Sequence, residues 1–193
     1  MYEFIKGVIT QLTPTYIILE NNGIGYFLNI SLHTNSKLKE GESVKIFVHQ
    51  VIKEDSNEMY GFADERERFI FRSLITVSGV GANTARMILS NLSPDDVILA
   101  ITSGDVRTLK AVKGIGEKSA QRMIIDLKDK LGKAGDIGDI FGTKDNTTQQ
   151  EALSALIMLG FAKNAVEKIL DKVITENPSA PVEQIVKLSL KRL

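Results

Sequence analysis

The chain has 193 residues, its 24 basic residues balance its 24 acidic ones, and it contains no cysteine, which excludes disulfides and thiolate metal sites. A composition of 43% hydrophobic and 25% charged residues is typical of a soluble globular protein of one to three domains. With no apolar run of membrane-spanning length and no leader pattern, we expect a cytoplasmic protein. The two histidines, His33 and His49, have no spaced partner, so we expect neither a metal nor a cofactor.

Residues 1–63 are predicted to form a small β-barrel. β-branched and aromatic residues are enriched in five short runs, and Asn22-Gly23 supplies a hairpin signal between the second and the third. Five short strands in so few residues indicate a closed barrel of the OB type, since closure removes the exposed strand edges. The runs are 4–12, 16–20, 26–30, 44–51 and 59–62.

An acidic segment, Lys53 to Glu58, lies between the last two strands as a hairpin tip. It is open to three interpretations, of which the first is an ordinary solvated turn. In the second, Glu54, Asp55 and Glu58 bind Mg²⁺ in a nuclease, although carboxylates on such a tip converge poorly and no lysine or histidine is placed as a general base. In the third, the tip lies near DNA, and the charges of Glu54 and Asp55 repel phosphates.

Residues 64–132 are predicted to be helical. Asp64, with Glu67 three residues later, predicts a capping box at the first helix. Ser93 followed by Pro94 predicts the start of a later helix. The basic excess of the chain falls on this segment, which modestly supports contact with phosphate.

A glycine–aliphatic–glycine motif occurs twice in this helical segment at a constant offset, each time between two stretches of helical periodicity. The repeat predicts two helix-hairpin-helix modules, which we call hairpin one and hairpin two. The amides at the start of each following helix lack an intrahelical acceptor and favour an anion such as phosphate. The spacing fits neither a Rossmann fingerprint nor a Walker loop. The two motifs are Gly79-Val80-Gly81 and Gly114-Ile115-Gly116.

Residues 133–148 are predicted to be a flexible linker, because small and polar residues dominate their composition. Residues 149–193 follow as a separate compact unit. Its apolar periodicity predicts three helices. These are expected at 151–159, 163–175 and 181–193.

The turn Leu159-Gly160-Phe161 resembles the loop of three-helix domains of the ubiquitin-associated type. Two interpretations of the apolar residues around this turn remain open. Leu156, Leu159 and Phe161 could form a patch that docks a partner protein, or they could belong to the core, since so small a unit needs most of its apolar residues there.

This order of parts resembles the RuvA family of bacterial Holliday junction recognition subunits, and the resemblance covers the whole chain. Its motifs are specific when taken together and in order. They are Lys53-Glu54-Asp55 with Met59-Tyr60-Gly61-Phe62, Gly79-Val80-Gly81, Gly114-Ile115-Gly116 and Leu159-Gly160-Phe161. The resemblance implies a multi-domain α+β fold with an N-terminal OB-like β-barrel, a helical tandem helix-hairpin-helix domain and a C-terminal three-helix domain similar to ubiquitin-associated domains.

The resemblance also implies a non-catalytic DNA-binding subunit. A homotetramer, or an octamer of two tetramers, would hold a four-way junction open and nearly planar for branch migration in recombination, DNA repair and the SOS response. Glu54 and Asp55 match the family's acidic pin at the junction centre, which keeps strands apart. The C-terminal unit would engage the hexameric ATPase RuvB, with the resolvase RuvC in the wider complex. This agrees with the lack of a nucleotide-binding loop here, since the motor must then be another chain.

By the same resemblance, both hairpins bind the DNA backbone. The chain departs from the family at Ala82 and Asn83, where proline and lysine are common, and at Glu117, where lysine is common. We expect Arg86 to substitute for the missing charge; without it affinity should fall, because each lost phosphate contact removes about one unit of salt dependence. The implied DNA-binding residues are Gly79, Gly81, Asn83, Arg86, Gly114, Gly116, Lys118, Ser119 and Arg122.

A further alternative is a generic DNA-binding scaffold whose barrel binds single strands or RNA. It predicts a preference for unpaired nucleic acid. Against it, the barrel segment is net acidic and offers few aromatic side chains for stacking. These are Tyr2, Phe4, Tyr26 and Phe27, some of which must lie in the core.

Overall fold

The structure, a computed structural model, describes three stretches of the chain: residues 2–132, 148–177 and 180–193. The chain divides into two compact units, Met1–Ala134 and Gly135–Leu193. The predicted linker at 133–148 lies outside the described residues except for Thr148, which begins a helix. Within the described stretches, no helix combines the length and the apolar character needed to cross a membrane.

The first unit begins with a closed five-stranded barrel, which confirms the predicted OB-like fold. The strands are β1 (Phe4–Leu12), β2 (Tyr16–Asn21), β3 (Ile24–Asn29), β4 (Ser43–Ile52) and β5 (Asn57–Phe62). They pair around the barrel in the order β1-β2-β3-β5-β4, and all pairs are antiparallel except β3 with β5, which meet at Asn29 and Tyr60. Asn22 and Gly23, with φ of 50° and 83°, form the predicted turn between β2 and β3.

Alternate side chains of the strands fill the interior of the barrel, as the period of a strand requires. At Gly7 the backbones of β1 and β2 come so close that a Cβ would lie 2.1 Å from the Glu20 carbonyl oxygen. Only glycine permits this approach. A short helix, α1 (Leu32–Asn35), follows β3 and begins at its N-cap Ser31. The barrel core consists of Ile5, Ile9, Ile17, Leu19, Leu28, Ile30, Leu38, Ile46 and Val48.

Helix α2 (Glu65–Leu74) joins the barrel to the helical part of the unit. Its N-cap Asp64 accepts a hydrogen bond from the Glu67 amide at 2.7 Å, as predicted. The Glu67 carboxylate, however, turns to the barrel, where it accepts hydrogen bonds from the hydroxyls of Ser31 and, at 2.6 Å, Thr34. The prediction of a complete capping box is wrong, because these buried hydroxyls occupy both carboxylate oxygens.

An aromatic cluster and a buried arginine hold α2 on the barrel. The Phe71 ring centroid lies 5.0 Å from that of Tyr60 and 4.9 Å from that of Phe62. Arg68 is only 5% exposed; it donates to the Glu3 carbonyl oxygen at 2.7 Å and forms an ion pair with the Glu3 carboxylate. These contacts fix the barrel against the first helix of hairpin one.

Four more helices complete the first unit: α3 (Ala82–Asn91), α4 (Pro94–Ser103), α5 (Val106–Lys110) and α6 (Glu117–Gly132). Helices α2 and α3 form hairpin one, and α5 and α6 form hairpin two. Helix α4 lies between them in sequence and packs against α6. It begins at the predicted N-cap Ser93, with Pro94 in its first turn and a capping box to Asp96.

Three helices form the described part of the second unit, which confirms its predicted fold. They are α7 (Thr148–Met158), α8 (Lys163–Glu176) and α9 (Val182–Leu190). Their core consists of Ala152, Leu156, Val166, Leu170, Val173 and Ile185. Leu156 has no exposed surface. The structure therefore supports the interpretation that Leu156 belongs to the core. Its assignment to a docking patch is corrected, because a partner cannot reach a side chain with no exposed surface.

Candidate nucleic-acid interface

The loops of the two hairpins have the same backbone geometry. Gly79 and Gly114 begin them with φ of 90° and 91°, a left-handed conformation that favours glycine. The aliphatic residue that follows each glycine, Val80 or Ile115, is buried and holds its loop on the helices. The repeat in the sequence is therefore also a repeat in the structure.

The second glycine of each loop faces open space. Gly81 is the N-cap of α3, with φ −81°, ψ 170° and no side-chain cap, so the amides of the first turn need an acceptor from outside the helix. A Cβ on Gly81 or Gly116 would meet no atom within 4 Å. A DNA backbone can thus approach either loop closely, and the amides offer donors to its phosphates.

Hairpin two surrounds its loop with exposed cations. Lys113 lies in the loop, and Lys118 and Arg122 follow in the first turns of α6. Lys118 and Arg122 line an open cleft of about 480 Å³. Ser119, the remaining predicted contact in this hairpin, is half-buried. The arrangement combines amide donors with positive charge, which is the chemistry that a phosphate requires.

At the start of α6, Glu117 places a negative charge where lysine is common in similar proteins, but its carboxylate forms an ion pair. It forms an ion pair with Lys110, the last residue of α5, and accepts a 3.5 Å hydrogen bond from the Gln121 amide. Both partners of the ion pair are about half exposed, so the pair contributes little to stability. It does offset the negative charge of Glu117. We did not single out Lys110 from the sequence, because the pair closes across the loop between two helices.

Hairpin one has a single cation around its loop, a stretch that the structure describes completely. This is Arg86, which donates to the Thr15 carbonyl oxygen at 3.0 Å and to the Asn29 side chain at 3.2 Å. The structure thus places its guanidinium on the barrel. Asn83 is exposed in the first turn of α3, and its Oδ1 lies 3.4 Å from the Tyr60 hydroxyl. Contact of either residue with DNA stays a prediction.

A cleft of about 380 Å³ lies between hairpin one and strands β4 and β5. Lys53 and Glu58 line its barrel side, and Gly81 and Asn83 line its hairpin side. Tyr60, which also lines it, donates a 3.0 Å hydrogen bond to Glu58. Burial first, and then this hydrogen bond, raise the pKa of Tyr60 to about 12. Tyr60 therefore stays protonated at neutral pH, and its hydroxyl continues to donate the hydrogen bond to the Glu58 carboxylate.

The acidic tip is exposed at the end of the β4–β5 hairpin. Glu54 and Asp55 both face solvent. The Lys53 amide donates to the Ser56 carbonyl oxygen at 2.8 Å and closes the turn. The backbone thus presents two adjacent carboxylates on a defined turn.

Among the residues that the structure describes, one group of three side chains brings its ligand atoms within 4.8 Å of one another, and the acidic tip contributes none of them. The group is His33, Asp64 and Glu67. Asp64 is bound by the Lys37 ammonium at 2.7 Å, and both Glu67 oxygens accept hydrogen bonds from hydroxyls. A lysine therefore already supplies positive charge to this group. In the described residues, the acidic tip therefore offers no cluster of metal ligands of the kind that the nuclease interpretation requires.

The C-terminal unit exposes a short apolar run at the end of α7. Leu159 is 60% exposed and Met158 is 88% exposed, whereas Phe161 is partly buried against the core. The predicted docking residues therefore separate, with Leu159 at the surface, Phe161 at its margin and Leu156 inside. We missed Met158, because an apolar residue in the last turn of an amphipathic helix is normally expected to be buried.

Three family models match this chain: the RuvA N terminal domain at residues 1–61, the SAM-like Helix-hairpin-helix tandem at 71–129, and the RuvA C-terminal domain at 147–193. Similar curated proteins include those of Christiangramia forsetii (49% identical), Flavobacterium psychrophilum (48%) and Bacteroides fragilis (45%), and each match covers 100% of both chains. Each of the three is named Holliday junction branch migration complex subunit RuvA. The chain belongs to the RuvA family.

Proposed function

We propose that this protein is a non-catalytic subunit of a branch migration complex and binds Holliday junction DNA. One observation carries the proposal: a single compact unit holds two equivalent hairpin loops with open amides together with an exposed acidic tip. Backbone amides hold phosphates without reading bases, which suits a protein that meets junctions of any sequence. The names of its full-length relatives support the same conclusion.

In this proposal the two hairpins grip the duplex arms and the acidic tip acts at the centre of the junction. The loop glycines give amide donors, and Lys118 and Arg122 add charge. Glu54 and Asp55 repel the phosphates of strands that exchange partners. Two like charges about 4 Å apart in water repel by about 1 kcal/mol. Several such tips would therefore bias where strands pass and keep the centre open.

We further propose that the working form is a homotetramer. A four-way junction has four equivalent arms, and a ring of identical chains with a closed rotation matches that symmetry. The barrel exposes large apolar side chains, among them Phe4 at 45% and Phe27 at 50%, which are suited to contacts between copies. A second tetramer on the opposite face of the DNA would make an octamer.

The C-terminal unit would contact a RuvB-type hexameric ATPase, which supplies the motor, with a RuvC-type resolvase in the wider complex. The exposed apolar run at Met158 and Leu159 supports this role, because adjacent uncovered apolar side chains are suited to contact with a protein partner. Leu159 is the member of the predicted docking set that a partner can reach.

The proposal is tested by a gel-shift titration without Mg²⁺ that compares a four-way junction with a linear duplex of the same sequences at several salt concentrations. We expect strong preference for the junction and a steep salt dependence, since phosphate contacts release counterions. Equal affinity for both substrates would contradict junction recognition and favour a generic DNA-binding scaffold. Preference for unpaired strands would favour the single-strand scaffold, and cleavage on addition of Mg²⁺ would favour the nuclease.

A further inference from the structure

The two hairpins share a backbone but differ in charge around their loops. Hairpin two has four cations there, of which Lys110 pairs with Glu117 and the other three are exposed, and none of the four has a cationic counterpart in hairpin one. All of these positions lie in described residues. The matched pairs are Lys110 with Ile75, Lys113 with Ser78, Lys118 with Asn83, and Arg122 with Met87.

Each arginine of hairpin one forms a hydrogen bond or an ion pair with another part of the protein. Arg86 donates to the barrel, Arg66 forms a 2.5 Å ion pair with Asp95, and Arg72 donates to the His49 ring at 3.3 Å. The buried Arg68 is paired with Glu3, the residue before β1. Because positive charge supplies much of the affinity for DNA backbone and Arg86 is held on the barrel, a cation from another part of the chain would strengthen the contact of hairpin one with phosphate.

Lys53 is placed to supply that cation. It lines the cleft opposite Gly81 and Asn83, and in the described part of the chain it forms no ion pair. The carboxylate that shares its side of the cleft, Glu58, is held by the Tyr60 hydroxyl. The turn that begins at Lys53 is closed by its own amide, so the flexible side chain extends from a fixed point.

We propose that Lys53 is the phosphate-binding cation of hairpin one. The cleft receives a phosphodiester group of the DNA backbone, which the loop at Gly81 and Asn83 contacts from one side and the Lys53 ammonium from the other. This inference rests on the proposed DNA-binding function. Since Glu54 and Asp55 directly follow Lys53, a single β-turn attracts one phosphate at its base and repels others at its tip. A duplex arm is thereby set in register beside the acidic tip.

The test is the salt dependence of binding to a fluorescent four-way junction, measured by anisotropy without Mg²⁺. Lys53→Gln should lower the slope of log affinity against log salt by about one unit, so that the affinity lost between about 50 and about 200 mM salt becomes about 3.5-fold smaller. Lys39→Gln is the matched control, since it removes the same charge from another exposed site on the barrel. It should leave the slope unchanged.

A second variant distinguishes the cleft from an indirect effect on the neighbouring acidic tip. Asn83→Lys in the Lys53→Gln background restores a cation from the opposite wall, and we expect it to return the slope to the wild-type value. If Lys53→Gln behaves like Lys39→Gln, or if Asn83→Lys brings no rescue, the inference is overturned while the junction preference of the wild-type protein stands. Loss of that preference in the wild type would instead refute the proposed function.

Discussion

The buried carboxyl of Glu67 should make the stability of the first unit depend on pH. Burial raises the pKa of Glu67 from 4.5 to about 6, and the hydrogen bonds from Ser31 and Thr34 oppose this only in part. Because the folded state binds this proton more tightly than the unfolded state, the resulting stability is fully present below pH 4.5 and is lost as the pH rises through about 6. The difference corresponds to about 2 kcal/mol.

Glu67→Gln removes the ionisation and isolates its effect. Between a pH well below 4.5 and a pH well above about 6, the free energy of unfolding of the wild type should fall by about 2 kcal/mol relative to that of the variant. The comparison is needed because burial lowers the pKa of His33 and His49, whose titration raises stability as the pH increases. Both histidines are present in the two proteins, so the part of their contribution that does not depend on Glu67 cancels.

Urea unfolding followed by tyrosine fluorescence is the assay. The chain has four tyrosines and no tryptophan, and every tyrosine lies within residues 1–63, so the signal follows the barrel and not the C-terminal unit. Glu42→Gln, which changes an exposed carboxylate of the barrel, is the control and should keep the wild-type pH profile. Parallel profiles for the wild type and Glu67→Gln over this pH range would refute the conclusion that burial dominates at Glu67.

Three further predictions concern the loops, the C-terminal unit and the contact between barrel and helix. Gly79→Ala should cost about 1–2 kcal/mol, because its φ of 90° strains any residue with a Cβ. Gly81→Ala should change stability by less than about 0.5 kcal/mol but weaken junction binding in a gel shift, because its methyl group enters the open space above the loop. Leu156→Ala should destabilise the C-terminal unit by about 2–5 kcal/mol in thermal melts, whereas Leu159→Ala should leave the melt unchanged and weaken ATPase binding measured by calorimetry. Arg68→Ala should cost the first unit about 1.5–3 kcal/mol in urea, because it removes charged hydrogen bonds to Glu3, the residue before β1.

Each pair of variants contains its own control. Equal losses of stability in Gly79→Ala and Gly81→Ala would contradict the argument from backbone strain. A lowered melting temperature in Leu159→Ala would return that residue to the core. For Arg68, an unchanged urea midpoint would mean that the aromatic cluster alone holds α2 on the barrel.

Local signals predicted much of the fold and the backbone of the site. The turn at Asn22-Gly23, the N-cap at Ser93 and both glycine loops depend on neighbouring residues, and all appear in the structure. Contacts between distant segments could not be predicted in this way. The hydroxyls that turn Glu67 away from its capping box lie more than thirty residues earlier, and nothing in the helical periodicity points to them.

The same limit applies to the side chains that bear on function. Arg86 was expected at the loop because its position in α3 is near it, but its carbonyl acceptor at Thr15 belongs to the barrel. Leu156 and Leu159 are spaced to share one face of a helix. Helix α7 ends at Met158, and the chain turns at Gly160 with φ of 98°. Leu159 therefore leaves the face that Leu156 occupies.

The buried aliphatic residue in each hairpin loop has a consequence for how such a protein can be modified. Val80 and Ile115, with their leading glycines, set the backbone from within, while the charged and neutral residues that meet solvent take no part in that packing. Shape and charge are thus specified by different positions. A designer can change the ionic strength at which each loop releases its ligand by substitutions such as Asn83→Lys, without redesigning the scaffold that presents it.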